Sequence, residues 1–108
     1  MIQLIDRREI PRLLSFCKGS PYGVRISAFL QAYGTSYPFA LFWMQTDASG
    51  RITAALSRVD GHVTLCASEQ ADWEEVWAFL SAAGYESVLC PEWAAQTAGL
   101  LSACRLES

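Results

Sequence analysis

Residues 37–67, YPFALFWMQTDASGRITAALSRVDGHVTLCA, decide the fold because they predict three consecutive antiparallel strands joined by tight turns. Apolar residues occupy both faces of the first strand, FALFWM, so we expect this strand to be covered on both sides. Residues 47–50, DASG, form a turn cluster before a second strand over Ile52–Val59. Asp60 and Gly61 then give a two-residue hairpin signal, which predicts a third strand directly after them.

The Asp60-Gly61 turn also predicts the register of the second and third strands. A two-residue loop places Val59 opposite His62 and Leu56 opposite Leu65. Side chains alternate between the faces of a strand, so a slip by one residue would turn both leucines away from the core. We therefore expect the register to be tightly fixed.

Helices flank this meander in a definite order. A short apolar strand over residues 2–5 precedes two helices, the first capped by Asp6 and the second beginning at Pro21. Asp72 caps a third helix, residues 86–90 form a strand, and Pro91 begins a fourth helix. The fourth helix is expected to turn four side chains toward the core: Trp93, Leu100, Leu101 and Cys104. The prediction is an α+β fold of order β-α-α-β-β-β-α-β-α, with a mixed sheet whose last strand lies parallel to its neighbour.

Composition excludes several classes of function. The chain has 108 residues and 52% apolar residues, which predicts one domain over residues 1–108. A net charge of −3 disfavours a nucleic-acid partner. No apolar run approaches a membrane span and the first residues lack a secretory pattern, so we expect a cytoplasmic protein without membrane contact. The four cysteines match no metal or redox spacing and are interpreted as buried apolar residues, so no metal site is predicted.

The element order resembles the leading part of the GNAT N-acetyltransferase fold. Residues 42–67, FWMQTDASGRITAALSRVDGHVTLCA, are similar to the meander of clostridial-type GNAT proteins, which carry an N-terminal GNAT-like half before a catalytic half. Residues 6–17, DRREIPRLLSFC, resemble the typical start of the family. The resemblance covers nearly the whole chain and consists of patterns rather than signature residues. It implies a single GNAT-like domain that forms the N-terminal half of a longer acetyltransferase-like protein.

The resemblance also implies which residues are missing. In the family a glycine-containing loop after the fourth strand, Q/R-x-x-G-x-G/A, holds the pyrophosphate of acetyl-CoA. The corresponding residues 67–72, ASEQAD, contain no glycine and no basic residue, and the charges of Glu69 and Asp72 would repel a diphosphate. The family's carboxylate on the fourth strand and its tyrosine near the fourth helix are absent as well. The family uses acetyl-CoA, but for this chain alone we expect no cofactor and assign no catalytic or cofactor-binding residue.

Two functions remain, and a complete but divergent acetyltransferase ranks behind both. The first is a GNAT-like domain that is not catalytic by itself and supports a catalytic half or a homodimer partner, which would cover the exposed sheet edge at residues 86–90. The second is a free-standing module on the same fold that binds a small ligand or a protein.

The second function places a ligand pocket between the first two helices and the meander, near Tyr22, Arg25 and Trp43. The guanidinium of Arg25 is suited to a carboxylate, although a solvated arginine is the competing interpretation. The only histidine, His62, is interpreted as a solvated turn residue rather than as a base. We interpret Thr64 as part of the sheet packing.

Overall fold

A mixed β-sheet whose neighbouring strands follow chain order is the centre of the fold. The computed structural model describes residues 1–97 and 106–107, with side chains up to Ala94. The strands are β1 (Ile2–Leu4), β2 (Ala40–Thr46), β3 (Ile52–Val59), β4 (His62–Ala67), β5 (Ser87–Leu89) and the two-residue β6 (Leu106–Glu107). The helices are α1 (Ile10–Cys17), α2 (Pro21–Tyr33), α3 (Trp73–Ala83) and α4 (Glu92–Thr97).

The sheet has the predicted mixture of strand directions. β1 to β4 pair antiparallel, and β5 lies parallel to β4 after the crossover through α3. The α+β class, the antiparallel meander and the parallel β4–β5 pair are therefore confirmed. β6 runs parallel to β5 on its outer side. Our expectation of an open edge at residues 86–90 is wrong, because Leu106–Glu107 of the same chain pairs there.

The hairpin between β3 and β4 has the predicted register. Val59 pairs with His62, and Leu56 pairs with Leu65. Asp60 has a φ of 52° and Gly61 a φ of 83°, so both turn residues occupy the left-handed region that a type I′ turn requires. The local turn chemistry therefore accounts for the alignment of the two central strands.

Each face of the sheet carries its own apolar core. The face covered by α1 and α2, here called the α1/α2 face, contains Ile5, Leu13, Cys17, Ile26, Leu30, Ala40, Phe42, Met44, Ala55 and Cys66. The face covered by α3, here called the α3 face, contains Ala54, Leu56, Val63, Leu65, Val76, Trp77, Leu80, Val88, Cys90 and Ala94. Both faces of β2 are thus covered, as its apolar pattern predicted.

Local capping explains where the helices begin. A turn of 3₁₀ helix over Arg7–Glu9 precedes α1, and the Asp6 carboxylate accepts a hydrogen bond from the Arg8 amide at 2.8 Å. The Ser20 hydroxyl accepts one from the Gly23 amide at the start of α2. These caps satisfy backbone donors that have no partner inside the helix.

Gly23 marks the closest approach of α1 and α2. A β-carbon at this position would overlap the carbonyl oxygen of Cys17, the last residue of α1. Only glycine permits this spacing, which holds the end of α1 directly against the first turn of α2.

The fourth helix differs from the prediction. Trp93 is 43% exposed and makes an edge-to-face contact with Trp73, so it lies at the margin of the α3 face rather than in the core. Leu100, Leu101 and Cys104 lie outside the described residues. Across residues 1–97 and 106–107, every helix is too short or too polar to cross a bilayer.

Candidate functional site

The loop between β4 and α3 is the place where the family resemblance predicts the coenzyme. Three of its backbone amides have acceptors within the chain. The Ser68 amide donates to the Thr53 carbonyl at 2.9 Å, and the Ala71 amide donates to the Ser68 carbonyl at 3.2 Å. The Gln70 amide donates to the Ser68 hydroxyl at 3.3 Å. Residues 68–71 therefore form a closed turn rather than an open cradle of donors.

At the start of α3, backbone amides also donate to acceptors within the chain. The Asp72 carboxylate accepts from the Glu75 amide at 3.2 Å, so it caps the helix as the sequence predicted. The Asp72 amide donates to the side-chain oxygen of Gln45 at 2.9 Å. A helix N-terminus attracts anions through unpaired amides, and here a carboxylate and a glutamine of the chain itself take that position.

Gln45 connects this helix start to the sheet. Gln45 is 1% exposed, and its side chain uses both of its polar atoms. The amide nitrogen donates to the Asp72 carbonyl at 3.0 Å and to the Glu75 carboxylate at 2.8 Å. The oxygen accepts from the Thr53 hydroxyl at 2.7 Å as well as from the Asp72 amide. A fully satisfied buried amide of this kind fixes the geometry of the groups it contacts.

The charge at this end of the sheet is negative. A shallow depression of about 320 Å³ beside α3 is lined by Asp72, Glu74, Glu75 and Ala78. Burial of Glu75 disfavours its charged form. However, hydrogen bonds from the Met1 ammonium group and from Gln45 outweigh this effect and lower the pKa of the carboxyl. Glu75 therefore stays ionised, and the residues at this site do not fit a diphosphate.

The structure separates the three residues predicted to line a ligand pocket. Trp43 lies on the α3 face, where its ring packs edge-to-face against Phe79 at 5.1 Å. Tyr22 packs against the core of the α1/α2 face, one helical turn before Arg25. The sheet therefore lies between Trp43 and the other two side chains, and Arg25 lines a cleft to which neither Tyr22 nor Trp43 contributes.

That cleft, which we call the Arg25 cleft, lies over the parallel β4–β5 pair on the α1/α2 face. It has a volume of about 270 Å³ and is lined by Arg25, His62, Val63, Thr64, Ser87 and Leu89. The guanidinium of Arg25 donates through Nε to the Thr64 hydroxyl at 3.3 Å and lies over the Phe29 ring at 5.0 Å. Among residues 1–94, Arg25 has no carboxylate partner. Within this part of the chain no carboxylate engages its remaining N–H groups, which suits an anionic ligand.

His62 lies between a hydroxyl group and a carboxylate at one end of the Arg25 cleft. Its Nδ1 is 2.8 Å from the Ser87 hydroxyl, and its Nε2 is 3.5 Å from a carboxylate oxygen of Glu86. A base held between a hydroxyl and an acid is a feature of nucleophilic catalysis. Here the His62 and Glu86 side chains are 57% and 72% exposed, so water weakens their pairing and the arrangement is better suited to hydrogen-bonding a ligand.

Sequence reasoning missed the contributions of Thr64, His62 and Ser87 to this cleft. Thr64 and His62 share one face of β4, and the parallel register places Ser87 opposite His62. Because side chains alternate along β4, the sequence does signal that Thr64 and His62 share a face. The register of β5 depends on how α3 crosses over the sheet, for which no short-range signal exists in the sequence.

A buried hydroxyl group lies next to the cleft in the sheet. Ser57 pairs across the strands with Thr64, and its side-chain oxygen is buried without a hydrogen-bond partner among the described residues. Unpaired buried hydroxyl groups are uncommon in folded proteins. The polar residues Ser57 and Thr64 therefore form a polar strip beneath α2 that continues the polar lining of the Arg25 cleft.

Comparisons with known proteins return no counterpart for this chain: no protein-family model, curated protein or solved structure matches it. Within residues 1–94, no group of three or more histidine, cysteine or acidic side chains is arranged to hold a metal ion.

Proposed function

We propose that this chain is a GNAT-like domain that neither binds acetyl-CoA nor transfers acetyl groups by itself, and that it supports a separate catalytic half or another partner. The observation that carries the proposal is the use of the backbone amides at residues 68–76. The amides of Ser68, Gln70, Ala71, Asp72, Glu75 and Val76 all donate within the chain.

A coenzyme pyrophosphate would have to break these bonds before it could use any of these six amides. Each net hydrogen bond contributes about 1 kcal/mol, and removing a partner from a buried donor costs more. The carboxylates of Asp72, Glu74 and Glu75 would add repulsion at the same place. The balance of these effects is unfavourable to a diphosphate, which supports a domain that leaves coenzyme binding to another half.

Titration of the ¹⁵N-labelled chain with acetyl-CoA tests this proposal. We expect no saturable change in the amide signals of residues 68–76 up to millimolar coenzyme, and no heat of binding by calorimetry. Stoichiometric binding accompanied by saturable shifts of these amides would overturn the proposal, because it would show that the loop opens for the coenzyme.

Exposed aromatic side chains support the partner role. Tyr37 and Phe39 are exposed and pack with Tyr33 at the start of β2, with ring centroids 5.2 to 6.0 Å apart. Exposed apolar groups of this kind are typical of interaction surfaces. Sedimentation velocity over a range of concentrations should show self-association that the Phe39→Ser variant weakens. A monomer at every concentration would exclude a homodimer and leave the catalytic half as the proposed partner.

A second candidate function is a small-ligand module that uses the Arg25 cleft. The specific observation in its favour is an arginine that lines a cleft of about 270 Å³ without a carboxylate partner among residues 1–94. Benzoate is a suitable probe and benzamide is its neutral match. We expect saturable shifts of the Thr64 and Ser87 amides with benzoate that are at least tenfold weaker with benzamide and in Arg25→Gln. Equal responses to the two probes would refute recognition by the guanidinium.

A further inference from the structure

The two ends of the Arg25 cleft offer different groups to a ligand. At one end the Arg25 guanidinium donates to the Thr64 hydroxyl at 3.3 Å. At the other end Ser87 pairs with His62 across the parallel strands, and its hydroxyl oxygen is 2.8 Å from Nδ1 of the ring. Thr64 and His62 are two residues apart on β4, so the ends are separated by about 7 Å. The cleft therefore presents a cation and a hydroxyl group at a fixed spacing.

Glu86 influences which ring nitrogen of His62 carries the proton in the neutral form. One of its carboxylate oxygens lies 3.5 Å from Nε2, and the negative charge favours a proton on that nitrogen. Nδ1 is then an acceptor, so the Ser87 hydroxyl donates its one proton to it. The lone pairs of the Ser87 oxygen remain. Ser87 therefore offers a ligand in the cleft an acceptor and no donor.

An acceptor at this end selects among the groups that a ligand could carry. A carboxylate has no proton to donate near neutral pH, so it gains no hydrogen bond from Ser87. An ammonium group brings three donors, and its desolvation is poorly offset because the Glu86 side chain is 72% exposed and its charge is screened by water. A hydroxyl group supplies one donor for one acceptor and carries no charge, so it matches this end best.

The space between the two ends is small and partly apolar. Leu89 pairs with Thr64 in the parallel register and lines the cleft beside Arg25. The volume of about 270 Å³ lies below the range that drug-sized ligands occupy. A compact apolar body, such as a single ring, therefore suits the middle of the cleft.

We propose that the Arg25 cleft binds small hydroxycarboxylic acids, with the carboxylate on Arg25 and a hydroxyl group at the opposite end of the ligand donating to Ser87. This inference rests on the second candidate function, because it names the ligand class of the same cleft. It assigns affinity for the anion to Arg25 and the choice among anions to Ser87.

Titration of the ¹⁵N-labelled chain with para-substituted benzoates near neutral pH tests the proposal. The probes share one carboxylate and one ring, and they differ in the group opposite the carboxylate: hydroxyl, methyl, carboxylate or aminomethyl. From saturable shifts of the Thr64 and Ser87 amides, we expect 4-hydroxybenzoate to bind about fivefold more tightly than 4-methylbenzoate, as one net hydrogen bond predicts. Terephthalate and 4-(aminomethyl)benzoate should both bind more weakly than 4-hydroxybenzoate.

Substitutions at the two ends of the cleft should have different effects. In Ser87→Ala the hydroxyl and methyl probes should bind equally, because the acceptor is gone. Arg25→Gln should instead weaken both probes by the same factor, since both present a carboxylate to the guanidinium. Ser81→Ala is the matched control, because Ser81 is exposed on α3, across the sheet from the cleft, and it should keep the preference for the hydroxyl probe.

Three results would overturn the proposal. Equal binding of the hydroxyl and methyl probes would exclude it while leaving recognition of benzoate by Arg25 intact. Tighter binding of terephthalate or 4-(aminomethyl)benzoate than of 4-hydroxybenzoate would exclude it because a charged group would then be preferred at Ser87. If no probe gives saturable shifts, the second candidate function fails together with this inference. The decisive comparison uses the unaltered sequence, so a variant that does not fold leaves the outcome unchanged.

Discussion

Substitution of Gln45 by methionine tests whether the closed helix start depends on one buried side chain. Methionine has a similar length and fits an apolar strand, but it offers no comparable donor or acceptor. The change removes four hydrogen bonds, to Thr53, to Glu75 and to both the amide and the carbonyl of Asp72. At about 1 kcal/mol each, we expect the free energy of unfolding to fall by about 4 kcal/mol.

Urea unfolding followed by tryptophan fluorescence measures this loss. The midpoint should fall while the dependence of the free energy on urea stays the same, since the surface exposed on unfolding is unchanged. Gln31→Met is the matched control, because Gln31 is exposed on α2 and its replacement should alter stability by no more than about 0.5 kcal/mol. A loss below about 1 kcal/mol for Gln45→Met would refute the view that this network holds α3 to the sheet.

Two further predictions use the same unfolding measurement. Gly23→Ala should cost about 2–4 kcal/mol, because the new methyl group overlaps the Cys17 carbonyl and backbone must move; a neutral result would contradict the close approach. The pKa of Glu75 is lowered in the fold, so its contribution is present above the pKa of the unfolded chain and declines as pH falls through the folded value. Glu75→Gln should therefore flatten the acid side of the stability profile, and an unchanged profile would argue against this assignment.

The sequence predicts the parts of the fold that depend on short-range rules. The Asp60-Gly61 turn determines the pairing of β3 with β4, and a two-residue loop has few alternative registers. The caps of α2 and α3 at Ser20 and Asp72 follow from side chains that are adjacent to the helices they begin. These features need no knowledge of which elements meet in space.

The site residues were harder to predict because they depend on long-range packing. Side chains alternate along β2, so Trp43 and Phe42 lie on opposite faces of the sheet. This alternation does not indicate which helices cover each face. Gln45 does leave a signal, since it is a polar residue within an apolar strand, although its partners on α3 are 27 and 30 residues away.

The two faces of the sheet divide the chemistry of the domain. On the α3 face, Gln45 and Asp72 close the helix start, and the nearby carboxylates make it unsuitable for a diphosphate. On the α1/α2 face lies the Arg25 cleft, where a ligand would meet the guanidinium group. Changes on opposite faces share no partners, so their effects should add. Gln45→Met should therefore lower stability without weakening benzoate binding measured on the folded fraction. Arg25→Gln should weaken benzoate binding without lowering stability.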